Sequence, residues 1–151
     1  MRGTTDPALL ALFASVVESG GVRAAEMAVL APEHHAPETA ACLLELDGLV
    51  DAAYERFGKV DVLVNNAGMS PLYESLGSVP EKLFDAVVNL NFKGPFRLSA
   101  LVGERMVADG GGSIINISSS GSLRPDAYML PYAAAKAGLN TLTEGFAKAF
   151  G

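Results

Sequence analysis

The sequence has little cysteine, and this restricts its redox and metal chemistry. Its single cysteine, Cys42, cannot form an internal disulfide and has no second cysteine at metal-ligand spacing. We therefore expect a reducing, cytoplasmic location and no redox switch. The adjacent histidines His34 and His35 also lack a further ligand at metal spacing, so we expect solvated loop residues there and no bound metal.

Positive charge and long hydrophobic runs are also scarce. Eleven Lys and Arg residues against 17 Asp and Glu residues leave a formal charge of −6, which provides no basic surface for nucleic acid or anionic lipid. The uncharged apolar run at residues 8–17 has about half the length that a membrane span needs. Its apolar spacing instead predicts an amphipathic helix that ends at Gly20 and Gly21. Small-molecule chemistry is favoured, with no nucleic-acid or membrane partner.

Apolar residues, in contrast, are plentiful. They make up 50% of the 151 residues, whereas 19% are charged, which predicts one folded domain with one core. The pattern along the chain predicts a strand at 22–31, a helix from about 43 to 58, a strand at 60–64, a helical region at 80–109, a strand at 113–118 and a helix at 131–149. Asn91, Gly94 and Pro95 are expected to interrupt the helical region midway. A helical crossover between two buried strands predicts a parallel sheet in an α/β fold.

The turn after the strand at 60–64 is a candidate ligand site. Its sequence is Asn65-Asn66-Ala67-Gly68, directly at the carboxyl end of the strand. In open α/β sheets, ligands bind beyond the carboxyl ends of the strands, and glycine allows the backbone to approach a ligand closely.

Two residues of the last helix are candidates for proton-transfer chemistry. Tyr132 and Lys136 are four residues apart, so they share one face of the helix. A phenol is a poor acid or base at neutral pH, but a nearby ammonium favours the phenolate. This spacing alone also fits an ordinary surface pair. Ser119, at the preceding strand end, adds a hydroxyl that could donate to the same substrate oxygen.

Together these motifs resemble the middle portion of a short-chain dehydrogenase/reductase, from about residue 45 to 151. The resemblance rests on four segments in the family's order and spacing, namely Asn65 to Gly68, Asn91 to Phe96, Gly112 to Ser119 and Tyr132 to Lys136. It implies a Rossmann-like doubly wound parallel sheet in a single domain over residues 1–151. It also implies hydride transfer between NAD or NADP and an alcohol or carbonyl substrate, with the two cofactors not distinguished.

The resemblance also implies a role for individual residues. Tyr132 is the general acid/base, and Lys136 assists it and holds the nicotinamide ribose. Ser119 positions the substrate oxygen, and Asn91 holds a water in a proton relay behind Lys136. Residues 65–68 line the adenosine side of the cofactor site, and Tyr132 and Lys136 also contact the cofactor.

A simpler interpretation applies to the asparagines. Asn65, Asn66 and Asn116 can equally tie neighbouring strands and turns together, without touching a cofactor.

The sequence departs from the family pattern at both ends. The glycine-rich turn that receives the pyrophosphate does not occur, and the chain stops before the strand and Pro-Gly turn that follow the catalytic helix. In the family's sheet the first strand lies between the second and the fourth. We therefore expect residues 60–64 to lack a neighbour on one side, and the chain to be a fragment of a larger reductase.

Two other function classes stay open. One is a catalytically silent module that forms a homodimer or tetramer through the helices at 80–109 and 131–150, the helices by which the family pairs its subunits. The other is the group of sugar-nucleotide epimerases and dehydratases, which share Tyr-x-x-x-Lys, although the motif at residues 65–68 favours the dehydrogenase branch. The identity of the substrate cannot be read from the sequence.

Overall fold

Within the residues that the structure describes, the fold combines a four-stranded sheet with four α-helices. The computed structural model describes the backbone of residues 12–19, 22–29 and 39–151, and side chains from residue 46 onward. In chain order the elements are β1 (Leu12–Ser19), β2 (Val22–Val29), α1 (Thr39–Phe57), β3 (Val62–Asn65), α2 (Glu81–Val88), a π-helical turn (Asn89–Lys93), α3 (Gly94–Ala108), β4 (Ser113–Asn116) and α4 (Leu130–Phe150). The predicted α/β fold class is confirmed.

The sheet has the strand order β1-β2-β3-β4. Strands β2, β3 and β4 are parallel, with Leu63 opposite Ala25 on one side and Ile114 on the other. The expectation that residues 60–64 lack a neighbour is therefore wrong, because β2 pairs with β3 along four residues. This pairing satisfies the backbone N–H and C=O groups that a central strand cannot leave unbonded.

The predicted helix over residues 8–17 is also wrong where the structure describes it. Residues Leu12–Ser19 form β1, which runs antiparallel to β2 with Ser19 paired to Val22. In the sequence only two residues separate these two partners. Pairing with a neighbouring strand thus outweighs the helical spacing of the apolar residues. Residues 8–11 lie outside the described part of the chain.

The core lies between one face of the sheet and helices α1 and α3. Leu63 of β3 is completely buried there. The other buried members of this core are Leu46, Val50, Ala53, Val60, Leu98, Val102 and Met106. Each large apolar side chain buried in this way contributes roughly 1.5–3 kcal/mol to stability. On the opposite face of β4 and its extension, Ile115 and Ile117 remain 47% and 41% exposed.

An ion pair also joins helices α1 and α3. The Arg97 Nε and Nη2 atoms donate to the two carboxylate oxygens of Asp47 at 2.8 and 2.6 Å. These hydrogen bonds from Arg97 hold the pKa of Asp47 below its usual value. The two-point contact fixes the relative orientation of the helices as well as their distance.

The predicted interruption of the 80–109 helical region is confirmed. The chain widens into the π-helical turn Asn89–Lys93 between α2 and α3. Pro95 has no N–H and therefore cannot donate the α-helical hydrogen bond to the carbonyl of Asn91 four residues earlier. Wide turns of this kind are frequent at functional sites. Within the part of the chain that is described, no helix is long and apolar enough to cross a membrane.

Candidate active site

The predicted site residues meet where β3 and β4 end and α4 begins. Lys136 lies one turn into α4 from Tyr132, and its Nζ atom is 5.9 Å from the centre of the Tyr132 ring. The same Nζ atom donates to the backbone carbonyl of Ile117, directly after β4, at 2.6 Å. The structure therefore brings the two helix residues together and joins them to the carboxyl end of the sheet.

Lys136 is a buried cation. Only 3% of the residue is exposed, and this burial lowers the pKa of Lys136 below its ordinary value because the charged form is desolvated. An ammonium has three N–H donors, and Ile117 takes one of them. Up to two donors thus remain for the oxygens of a ligand.

Ser119 begins the short turn that follows β4. Its Oγ atom accepts a hydrogen bond from the Gly121 N–H at 3.1 Å, which leaves the hydroxyl hydrogen for another acceptor. The turn is held on α4, because Asn140 Nδ2 donates to Ser122 Oγ at 3.0 Å and Ser122 Oγ donates to the Ser119 carbonyl at 2.6 Å. Ser119 is thereby fixed next to the helix that carries Tyr132.

Asn91 is completely buried, and its side chain makes three hydrogen bonds. Its Nδ2 atom donates to the carbonyls of Val87 and Met69, both at 2.9 Å, and its Oδ1 atom accepts from the Met69 N–H at 3.3 Å. Through its bonds to Met69, the side chain therefore holds the loop that follows the predicted turn at residues 65–68.

Gly68 lies against both Asn91 and Lys136. A Cβ atom at this position would be 2.8 Å from Asn91 Oδ1 and 3.6 Å from Lys136 Nζ. The first distance is shorter than ordinary contacts allow, so a side chain at residue 68 would displace the buried asparagine. The structure thus brings the turn after β3 into contact with the residues of the π-helical turn and α4.

Asn65 points into the structure and away from this contact. It is 3% exposed, and its Nδ2 atom donates to Ser99 Oγ at 3.0 Å and to Asn116 Oδ1 at 2.8 Å. Asn116 in turn donates to Thr143 Oγ1 at 2.9 Å. These contacts match the interpretation that the two asparagines tie β3, β4, α3 and α4 together.

The remaining residues of the turn lie nearer the surface. Asn66 and Gly68 are exposed and Ala67 is half-buried. A role of residues 65–68 in cofactor binding stays a prediction.

Several contacts that organise the site were not predicted from the sequence. Tyr73 bonds to the segment before α4, Ile117 provides the carbonyl for Lys136, and Asn140 holds the Ser119 turn. Each acts on a residue 18 or more positions away, so no local spacing could have indicated it.

Comparison with known proteins identifies the family. The family profile described as short chain dehydrogenase matches residues 40–151. The chain therefore belongs to the short-chain dehydrogenase family. Among curated relatives, the L-rhamnose-1-dehydrogenase of Scheffersomyces stipitis is 40% identical over 104 residues, which cover 68% of this chain and 40% of the relative.

Solved structures show the same similarity. A xylitol dehydrogenase with bound NAD⁺ has a TM-score of 0.66 and 28% identity, over 75% of this chain and 42% of that one. A gluconate 5-dehydrogenase from Burkholderia cenocepacia, in complex with NADP and tartrate, has a TM-score of 0.64 and 32% identity over the same shares. These neighbours support the incomplete Rossmann-like fold. The chain spans about two fifths of the length of these proteins.

Proposed function

We propose that this chain carries the proton-transfer centre of an NAD- or NADP-dependent oxidoreductase that interconverts an alcohol and a carbonyl compound. The observation that carries this proposal is the Tyr132 ring beside the buried ammonium of Lys136, 5.9 Å away on one face of α4. Membership of an oxidoreductase family supports it. The arrangement puts a phenol that can exchange a proton next to a fixed positive charge.

Tyr132 is the proposed acid and base. In the reducing direction its hydroxyl gives a proton to the carbonyl oxygen of the substrate, and in the oxidising direction its phenolate takes the proton of the alcohol. The Ser119 hydroxyl donates a hydrogen bond to the same oxygen and fixes its position. Lys136 stabilises the phenolate through its charge, which is effective because the ammonium is removed from water.

Asn91 has a proposed role behind Lys136. Proline at position 95 removes the usual helical donor to the Asn91 carbonyl, so a water molecule is a suitable donor to it. Such a water could pass protons between Lys136 and solvent. The buried side chain of Asn91, through its three hydrogen bonds, holds this part of the π-helical turn in place.

The residues present suit the nicotinamide end of a dinucleotide. Lys136 has donors for ribose hydroxyls, and the exposed Gly68 beside it has no side chain to obstruct a ligand. A bound cofactor would supply or accept the hydride of the reaction. The exposed turn at residues 65–68 is the proposed contact for its adenosine side, and nothing in the sequence distinguishes NAD from NADP.

A fluorescence titration tests this proposal. The 151-residue chain is titrated with NADH and with NADPH, and turnover is followed with a panel of small ketones and aldehydes. We expect dissociation constants between about 1 μM and 1 mM, the range of ordinary enzyme substrates, and turnover that requires Tyr132. A folded chain that neither binds a dinucleotide nor turns over any of these compounds contradicts the proposal.

A second function, pairing with another copy, is favoured by an aromatic row on α3 and α4. Phe96 and Phe146 have ring centres 5.8 Å apart, and Phe146 and Phe150 are 5.6 Å apart. Phe96 is 48% exposed, and apolar surface of this kind marks interaction sites. We propose a homodimer or tetramer through these helices. Sedimentation analysis tests it, and association without dinucleotide binding identifies a catalytically silent module.

A further inference from the structure

The hydroxyl of Tyr73 bridges two distant parts of the chain. It donates to the backbone carbonyl of Ala127 at 2.6 Å and accepts from the backbone N–H of Leu130 at 2.9 Å. Both partners are more than 50 residues away along the chain. One side chain thus connects the loop after β3 with the segment that leads into α4.

The Leu130 N–H needs a partner from outside its helix. It is the first residue of α4, and the first N–H groups of a helix have no acceptor within the helix. The residue that precedes it, Met129, makes no side-chain capping bond, and Pro131 has no N–H. Tyr73 therefore acts as the cap of α4 from a remote part of the chain.

The loop that carries Tyr73 is anchored at its other end. Asn91 bonds to both the N–H and the carbonyl of Met69, four residues before Tyr73. Asn91 is completely buried, so water does not compete for these hydrogen bonds. The loop between Met69 and Tyr73 thus connects a fixed point beside Gly68 with the first turn of α4.

We propose that Tyr73 is a positioning residue for Tyr132. Tyr132 lies two residues beyond Leu130, in the turn that Tyr73 caps. Lys136, one turn further, is held separately by the carbonyl of Ile117. The Tyr73 hydroxyl thereby sets where the Tyr132 ring lies relative to a fixed ammonium. This role rests on the proposed function, since it concerns the placement of the acid and base.

Nuclear magnetic resonance of the free chain tests the proposal without requiring activity. Tyr73→Phe keeps the ring and removes the hydroxyl, and Tyr128→Phe, a nearby ring that is 61% exposed, is the matched control. The measurements are the hydrogen exchange of the Leu130 amide and the cross-peaks between the Tyr132 ring and the Lys136 side chain. The amide of Leu139, deep in α4, reports on the fold of each variant.

We expect Tyr73→Phe to accelerate exchange at Leu130 about fivefold or more, the effect of losing roughly one hydrogen bond, and to weaken the cross-peaks from Tyr132 to Lys136. Leu139 should keep its protection, and Tyr128→Phe should change neither signal. Unchanged exchange at Leu130 shows that the bridge does not form and overturns the proposal. Faster exchange with unchanged cross-peaks overturns the positioning role. Equal effects of Tyr73→Phe and Tyr128→Phe on these signals also overturn the positioning role.

An activity assay distinguishes failure of this proposal from failure of the proposed function. If the chain turns over a substrate, Tyr73→Phe should lower kcat at least fivefold with little change in KM for the dinucleotide, because Tyr132 is displaced while Lys136 is not. A lower affinity for the dinucleotide at unchanged kcat contradicts it. If the parent chain neither binds a dinucleotide nor shows turnover, the proposed function fails, and the resonance measurements still decide whether Tyr73 places Tyr132.

Discussion

The Nζ atom of Lys136 lies 2.6 Å from the backbone carbonyl oxygen of Ile117. This contact joins α4 to the segment that continues β4, and it provides an acceptor for a cation that is removed from water. A buried ammonium without such an acceptor would be strongly unfavourable. The contact therefore explains how the chain keeps a positive charge beside Tyr132.

Removing the hydroxyl of Tyr132 should abolish catalysis and preserve the fold. We expect Tyr132→Phe to lower kcat by about 10²–10⁴-fold, the contribution of general acid–base catalysis, with dinucleotide binding maintained. Tyr54→Phe, on α1 and outside the site, is the control. Turnover of Tyr132→Phe at the parent rate would rule this residue out as the proton donor.

The buried ammonium of Lys136 should make stability depend on alkaline pH. Burial lowers the pKa of Lys136 in the folded chain below its ordinary value of 10.5, so the unfolded chain binds this proton more tightly. The penalty for the buried charge is fully present below the folded pKa and disappears as pH rises toward 10.5. The unfolding free energy should therefore gain a favourable contribution from this residue with rising pH.

Urea unfolding of the parent chain and of Lys136→Met measures this contribution. Methionine keeps an unbranched side chain without the charge, and the other titrating groups are the same in both proteins. We expect the unfolding free energy of the parent, relative to the variant, to rise between neutral pH and pH 10.5. A difference that is flat or falls with pH contradicts the assignment of a buried charged lysine.

A side chain at Gly68 should disturb the site, whereas one at Gly77 in the same loop should not. A Cβ at residue 68 meets Asn91 Oδ1 at 2.8 Å, but a Cβ at residue 77 has no atom within 4 Å. We expect Gly68→Ala to cost about 1–3 kcal/mol of unfolding free energy and to weaken dinucleotide binding. Gly77→Ala should stay within about 0.5 kcal/mol of the parent. Equal stabilities of the two variants would show that Asn91 is not packed as described.

A charge on the aromatic row should prevent association. Phe96→Glu puts a carboxylate on a surface that pairing would bury, and we expect the dimer to dissociate at least about tenfold more readily. Leu123→Glu replaces a side chain that is 81% exposed and lies outside α3 and α4, so it is the control. Sedimentation velocity over a range of concentrations measures both. A dimer that tolerates Phe96→Glu uses another surface.

Local patterns predicted most of the helices and strands of this protein. The buried run before Asn65, the break at Pro95 and the four-residue spacing of Tyr132 and Lys136 all depend on neighbours within one or two turns of chain. Such short-range relationships can be read directly from the amino-acid sequence. They placed the candidate site at the end of β3 and on α4.

The same kind of local spacing gave a wrong prediction of a helix at residues 12–19. Apolar residues three and four apart fit a helix, but the backbone groups of this segment bond to β2 as a strand. Strand pairing depends on which segment lies alongside, and the periodicity of one segment does not contain that information. The expectation that β3 lacks a neighbour had a different source, the strand order of the family, and it was wrong because β2 takes that place.

Residue types at fixed short spacings were enough to predict the fold class, the family and the candidate site residues. The groups that those residues contact depend instead on the tertiary structure. It directs Asn65 toward Ser99, gives Lys136 the carbonyl of Ile117 and joins Tyr73 to the start of α4. These contacts join residues 19 to 57 positions apart, and they form only because packing of the helices on the sheet brings distant backbone and side-chain groups within hydrogen-bonding distance.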